Sequence, residues 1–155
     1  YINDISKDLE SQTFLYADDQ KICRAMKEDD DRSVMQRDLD SVADWTERWG
    51  LSLNLSKCGI LGIGHRGEER DSYEIQGGVK QKLNIITSEK DLGVLVYDEL
   101  EFETHIAEIT QNANKILGII KRNFRNIGRN TFLLLYKSMV RSKLEYAPNV
   151  WSPYK

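Results

Sequence analysis

Two adjacent carboxylates, Asp18 and Asp19, are the residues whose types and spacing best suit metal chemistry. They lie between two short β-prone runs, residues 13–17 and 21–24, so a β-hairpin with the aspartates near its tip is expected. Hard divalent cations prefer carboxylate oxygens, and two such ions about 3.5–4 Å apart can activate a hydroxyl and hold a leaving phosphate. The small Ala17 would let a nucleic-acid end approach them closely. The alternative is an ordinary turn, in which aspartate is common.

The run that precedes the aspartates is apolar, and we expect it to form a buried strand that supports them rigidly. Alternation places Phe14 and Tyr16 on one face of this strand, and Leu15 and Ala17 on the other. A helix is predicted over residues 31–49, because apolar residues recur at helical spacing there and glycine follows at the expected C′ position.

The rest of the chain predicts short strands followed by helices. The strands are expected at residues 51–55, 58–63, 73–75, 84–86 and 92–96. From residue 102 the period becomes helical, Gly128 interrupts it, and a second helix continues to residue 144, after which Pro148 and Pro153 are expected to end regular structure. The predicted fold class is α+β: an Asp-Asp hairpin, a helix and short antiparallel strands, then an all-α subdomain that starts near residue 101.

Charge is distributed unevenly along the chain. The formal net charge is −3, but residues 1–103 carry −10 and residues 104–155 carry +7. Polyanions are the obvious partners for the basic part. Cations on its two helices could follow a phosphate backbone. Those near the first helix are Lys115, Lys121, Arg122, Arg125 and Arg129, and Lys137 and Arg141 are neighbours on the second. The alternative is a solvated face that keeps two apolar helices soluble.

Composition and cysteine usage exclude several classes of protein. Hydrophobic residues make up 40% and charged residues 30%, which argues against a disordered tail, and no apolar run reaches membrane-spanning length. Cys23 and Cys58 are too few and too far apart for a disulfide framework, so we expect both to be small buried hydrophobes. His65 and His105 lack partners at metal-ligand spacing. No basic-then-apolar segment at the N-terminus indicates secretion. Because the chain starts at Tyr1 without an initiator methionine, we interpret it as cut from a longer protein.

Residues 14–19 (Phe-Leu-Tyr-Ala-Asp-Asp) resemble the Tyr-Xaa-Asp-Asp motif of reverse transcriptases, in the Tyr-Ala-Asp-Asp form of non-LTR (LINE-type, jockey-like) retrotransposons. The resemblance continues along the chain. Segments similar to that family's palm, primer-gripping hairpin and thumb are, in this order, 39–58, 90–94 and 105–151. The resemblance therefore implies a partial palm over residues 1–100 and a helical thumb-like region over residues 101–155.

The resemblance implies a role for each matching residue. Asp18 would ligate the catalytic Mg²⁺, or Mn²⁺ in its place, with Asp19 as a weaker or indirect ligand. Tyr16 would pack near the primer terminus, and Lys57 would donate a proton to departing pyrophosphate, although an ordinary turn lysine is the alternative. The other residues expected to contact the primer or another part of the nucleic acid are Ala17, Gly93, Lys115, Lys121, Arg122 and Arg125.

The implied parent is an RNA-directed DNA polymerase that extends a DNA primer on an RNA template from deoxynucleoside triphosphates, inside the cell and in the nucleus. In that family another metal-binding aspartate and the fingers precede the hairpin, whereas only residues 1–12 precede it here. We therefore expect this chain to be inactive without the missing N-terminal polymerase portion. One alternative is a non-catalytic nucleic-acid-binding remnant of a decayed retrotransposon. The other is an unrelated α+β domain with an accidental Asp-Asp turn.

Overall fold

The structure is a computed structural model, and the residues that it describes are 2–28, 30–64, 72–77 and 79–152. The predictions made for His65 and Pro153 concern residues outside these ranges. Within them, helices occur together with short strands, which is consistent with the α+β class. No helix in the described ranges is long and apolar enough to cross a membrane.

The chain divides into two compact units. The first comprises Tyr1–Gly62 with Gly67–Ile86, and the second comprises Ile63–Arg66 with Thr87–Lys155. Each unit contains helix and at least one two-stranded sheet. The main division thus precedes the hairpin at residues 90–94, which belongs to the same unit as the helices that follow it. The interpretation of the parts as palm and thumb stays a prediction.

Over the described residues, the first unit has one long helix and three two-stranded sheets. Its strands and long helix are β1 Gln12–Tyr16, β2 Asp19–Cys23, α1 Asp31–Arg48, β3 Gly59–Leu61, β4 Glu74–Gly77, β5 Val79–Lys82 and β6 Asn84–Ile86. The pairs β1–β2 and β4–β5 are antiparallel, whereas β3 pairs with β6 in parallel. The prediction of antiparallel strands is therefore wrong for β3–β6, because the connection through β4 and β5 returns the chain in its original direction.

Helix α1 confirms the predicted helix and shows why it ends. Gly50 has a φ of 65° and donates its N–H to the Glu47 carbonyl, while the Leu51 N–H reaches the Thr46 carbonyl. These two bonds form a Schellman motif, which needs a left-handed residue at C′ and so favours glycine. The helix therefore stops one residue before the predicted end, at Arg48.

Two apolar clusters pack against α1. The first has a buried centre of Ile5, Val42 and Trp45, which half-buried Leu9, Leu15, Ile22 and Leu53 surround. The second has a buried centre of Ala43, Tyr73, Ile75 and Leu83, which Met35, Leu39, Leu53, Leu55, Cys58 and Ile60 surround. Because β1 and β2 contribute to the first cluster, α1 is the element that supports the hairpin.

The prediction of a strand over residues 51–55 is wrong. This segment is irregular and leads into a single 3₁₀ turn, Leu55–Lys57. The alternating leucines do not form a sheet face: Leu53 packs against both clusters, while Leu51 remains 43% exposed. The alternating leucines therefore attach this segment to the apolar clusters, and in the described ranges the segment has no neighbouring strand with which it could form a sheet.

The part of the second unit that the structure describes has one hairpin and a set of helices. Its elements are β7 Ser88–Asp91, β8 Val94–Tyr97, α2 Glu103–Asn123, α3 Arg129–Leu135, a π-helical turn Tyr136–Arg141, α4 Ser142–Leu144 and α5 Pro148–Trp151. Ala113, Ile120 and Val140 form its buried centre. The strand predicted at 92–96 begins two residues late, because Leu92 and Gly93 form the turn of the hairpin.

The predictions made for Pro148 and Cys23 are also wrong. Pro148 was expected to end regular structure, yet it begins α5. The reason is that the first turn of a helix does not need the N–H that proline lacks. Cys23 was expected to be buried, yet it is exposed at the end of β2, and Cys58 is half-buried.

Candidate active site

The Asp-Asp hairpin is present, with a shorter loop than predicted. Tyr16 pairs directly with Asp19 across β1 and β2, so Ala17 and Asp18 alone form the loop. Ala17 has a φ of 54°, the left-handed value that the first central residue of a primed hairpin turn requires. Both aspartates are exposed. Asp18 therefore lies at the tip, and Asp19 begins the second strand.

The strand beneath the aspartates is covered on one face only. Leu15 and Ile22 pack into the cluster on α1, whereas Phe14 is 50% exposed and Tyr16 is 63% exposed. The predicted face alternation is confirmed for Phe14, Leu15 and Tyr16, but the expectation of a buried strand is wrong for the outer face. A hairpin of two strands has no further layer there, so its outer aromatic residues remain open to solvent.

Two carboxylates fix the chain at the two ends of the hairpin. Before β1, buried Asp38 accepts the N–H groups of Glu10 and Ser11, each at 2.9 Å. After β2, Asp31 accepts the Arg24 Nε–H at 2.8 Å. Both carboxylates belong to α1, so the hairpin is held by hydrogen bonds as well as by apolar contacts.

Asp31 also orders the turn that leads into α1. The backbone N–H groups of Glu28 and Lys27 donate to its carboxylate at 2.9 and 2.8 Å. These two bonds, followed by the bond from Arg24, lower the pKa of Asp31 from 3.8 to about 2. The carboxylate therefore stays charged well below the pH at which an ordinary aspartate becomes protonated.

The Asp18–Asp19 pair offers few ligands for a metal. Among the residues that the structure describes, no group of three or more histidine, cysteine, aspartate or glutamate side chains could hold an ion. Asp4, an acidic residue before β1, pairs with Lys7 at 2.6 Å, and this hydrogen bond lowers the pKa of Asp4. Mg²⁺ often binds one or two carboxylates and completes its shell with water and phosphate oxygens. The pair fits that mode, as an open and incomplete site.

Lys57 is not brought to the aspartates by any contact that the structure describes. It is the last residue of the 3₁₀ turn, its side chain is exposed, and its backbone N–H donates to the Asn54 carbonyl at 2.9 Å. No ion pair or side-chain hydrogen bond of Lys57 occurs in the described ranges. Its proposed acid role is thus left as a prediction from the resemblance.

Gly93 occupies the tip of the β7–β8 hairpin in the second unit. Leu92 has a φ of 45° and Gly93 a φ of 90°, so both loop residues are left-handed, as a type I′ turn requires. A Cβ on Gly93 would lie 3.4 Å from Cε1 of Tyr146, whose hydroxyl donates to the Leu92 carbonyl at 2.8 Å. Sequence reasoning missed this role of Tyr146, although it lies in a segment that resembles the family.

The predicted nucleic-acid-binding cations of the basic part are exposed, and four of them lie on α2 or just after it. Lys115, Lys121 and Arg122 lie on α2, and Arg125 follows its end. None of the four has an ion pair within the described residues, whereas Arg141 pairs with Glu145 at 2.6 Å. Cations in the last turn also favour the helix dipole, so Lys121 and Arg122 have a structural benefit too.

Comparison with known proteins adds a similarity in sequence. The chain is 27% identical over 123 residues to the RNA-directed DNA polymerase from mobile element jockey of Drosophila funebris. The match covers 76% of this chain and 13% of that polymerase, so the chain spans a small part of its length. No protein-family model matches the chain, and no solved structure matches it. The similarity supports a reverse-transcriptase-like relationship and a polymerase-related origin.

Proposed function

We propose that this chain is a palm-and-thumb part of the reverse transcriptase of a LINE-type retrotransposon. The observation that carries the proposal is the hairpin: Asp18 and Asp19 are exposed at its tip beside Tyr16, and α1 supports it from below. The similarity to the jockey polymerase supports the same reading. Its partners would be an RNA template, a DNA primer and deoxynucleoside triphosphates, and the nucleus would be its place of action.

The chemistry assigned to this chain is metal binding at the primer end. Mg²⁺, when bound, would make the primer hydroxyl more acidic and neutralise charge on the departing phosphates. Asp18 would supply a carboxylate oxygen, Asp19 would add negative charge beside it, and the ring of Tyr16 would contact the primer terminus. Lys57 would supply a proton to pyrophosphate. Two carboxylates make a weak clamp for two ions, so the isolated chain is proposed to be inactive.

Metal binding at the hairpin can be tested on the chain alone. Mn²⁺ added to ¹⁵N-labelled protein should broaden the amide signals of Ala17, Asp18 and Asp19 before others. Asp18→Asn should abolish this selective broadening, whereas Asp8→Asn, which changes another exposed aspartate of the same unit, should leave it intact. Equal broadening in wild type and Asp18→Asn would contradict the metal assignment.

Catalysis needs a longer protein. With the missing N-terminal polymerase portion restored, primer extension on RNA should depend on Mg²⁺ and fall on the order of a hundredfold or more in Asp18→Asn. The Asp8→Asn variant should extend primers normally. Synthesis that survives Asp18→Asn would refute the active-site proposal.

A second candidate function is nucleic-acid binding without catalysis. It is favoured by the exposed Lys115, Lys121, Arg122 and Arg125, which have no ion pairs in the described residues. The affinity of the chain for an RNA–DNA hybrid should then fall steeply with salt, by a log–log slope of about −0.7 to −0.9 per phosphate contact. Binding that persists in Asp18→Asn, together with no extension by the restored polymerase, would select this candidate. A flat salt response would exclude it.

A further inference from the structure

The loop of the β7–β8 hairpin has a backbone that leucine seldom adopts. Leu92 has a φ of 45°, and its side chain is 44% exposed, so burial does not hold it in this conformation. A branched residue in the left-handed region is strained and persists only where surrounding contacts determine it. The contacts that hold Leu92 are therefore of interest.

Tyr146 provides these contacts from 54 residues away. Its hydroxyl donates to the Leu92 carbonyl at 2.8 Å, and its ring lies against Gly93, where a side chain would touch it. Tyr146 itself is 53% exposed. A contact so open to water contributes little to the overall stability of the unit, but it defines the orientation of the loop.

Further contacts hold Tyr146 in turn. The Trp151 Nε1–H donates to the Tyr146 carbonyl at 2.7 Å, and the ring of Trp151 meets His105 edge-on, with 5.8 Å between ring centroids. His105 is buried, and its Nδ1 accepts the Leu95 N–H of β8 at 3.3 Å. The contacts thus form a closed path from the hairpin loop through Tyr146, Trp151 and His105 back to β8.

We propose that Tyr146 is a positioning residue, which fixes the Leu92–Gly93 loop so that it can receive the recessed 3′ end of a DNA strand paired with RNA. Trp151 and His105 hold Tyr146 in place. The ligand part of this inference rests on the proposed function, in which the β7–β8 hairpin contacts the primer. The positioning part rests on the hydrogen bond and the ring contact alone.

The first measurement tests positioning in the chain as it is. In ¹⁵N-labelled protein, Tyr146→Leu removes the ring current at Gly93 and Tyr146→Phe removes only the hydroxyl. Both variants should shift the Gly93 amide signal, and Tyr136→Phe, a hydroxyl deletion elsewhere in the same unit, should not. An unmoved Gly93 signal in Tyr146→Leu would overturn the proposal.

The second measurement tests the ligand with two probes of equal duplex length. One is a DNA primer annealed to a longer RNA strand, and the other is a blunt RNA–DNA duplex. Wild type should prefer the recessed end, and Tyr146→Phe should reduce that preference about fivefold, as expected for loss of one hydrogen bond. Its affinity for the blunt duplex should be unchanged, whereas a merely structural defect would weaken binding to both probes.

The outcomes separate the two proposals. If wild type prefers the recessed end and Tyr146→Phe keeps that preference, the inference is wrong and the proposed function stands. If wild type shows no preference, the primer role of the hairpin fails, and with it the ligand part of the inference. A loss of preference in Tyr146→Phe but not in Tyr136→Phe supports both.

Discussion

Replacing Asp38 by asparagine should destabilise the first unit and loosen the hairpin that carries the Asp18–Asp19 pair. Asp38 is 2% exposed on α1, and each of its carboxylate oxygens accepts one backbone N–H at 2.9 Å, from Glu10 and Ser11. These two residues lead directly into β1. The substitution keeps the side-chain volume, so no cavity contributes to the measured change in stability.

The expected magnitude follows from the two hydrogen bonds. An asparagine can accept one N–H with its oxygen, but its amide nitrogen then faces the second N–H, which is left without an acceptor. Hydrogen bonds to charged groups contribute about 1.5–3 kcal/mol, and an unsatisfied buried donor costs about 1–3 kcal/mol. We therefore expect Asp38→Asn to lower the free energy of unfolding by about 2–4 kcal/mol.

Urea unfolding monitored by tryptophan fluorescence measures the change in stability, because Trp45 lies in the cluster beneath the hairpin. Hydrogen exchange of the Glu10 and Ser11 amides gives the local readout, and both should exchange faster in the variant. Asp44→Asn is the matched control on the exposed side of α1, with an expected change within about 0.5 kcal/mol. If Asp38→Asn were no less stable than Asp44→Asn, the anchoring role of Asp38 would be refuted.

Three other perturbations test separate parts of the structure. The pKa of Asp31 is depressed, so its carboxylate contributes fully to stability at pH values above its ordinary pKa of 3.8. This contribution is lost as the pH falls to about 2, and the stabilities of wild type and Asp31→Asn in acid unfolding should therefore converge near that pH. Ala17→Val should destabilise the hairpin by roughly 1–2 kcal/mol in urea unfolding, whereas Ala17→Gly should not, because the φ of 54° strains a branched side chain most. Ile120→Ala should lower the free energy of unfolding by about 2–5 kcal/mol in thermal or urea unfolding, whereas Ile119→Ala, at a half-exposed position, should lower it only slightly. Equal losses in the two variants would contradict the described core of α2.

The features that sequence predicted well are those determined by neighbouring residues. The hairpin depends on two β-prone runs and a short polar loop, and α1 depends on helical periodicity ended by Gly50. Both signals lie within a few residues of the element that they define. For the same reason, the tip position of Asp18 could be predicted before the structure was known.

The features that sequence predicted poorly depend on distant partners. The alternating leucines around Leu53 give a strand pattern, but a strand needs a neighbour, and this segment instead packs apolar side chains on two clusters. The bond from Tyr146 to Leu92 joins residues 54 positions apart, and no local signal reveals it. Pro148 misled for another reason, since proline both ends one helix and begins the next.

The π-helical turn Tyr136–Arg141 has a consequence for how this chain can vary in evolution. A residue inserted into an α-helix would rotate everything beyond it by about 100°, unless a π-helical turn, which has more residues per turn, takes up the extra residue locally. With the turn in place, Val140 is buried and Leu144 packs on the same cluster. Loss of one residue here would return the helix to α geometry and leave Leu144 facing that cluster. Related chains should therefore tolerate the loss of one residue in this turn more readily than in the middle of α2, where it would rotate one half of the helix against the other.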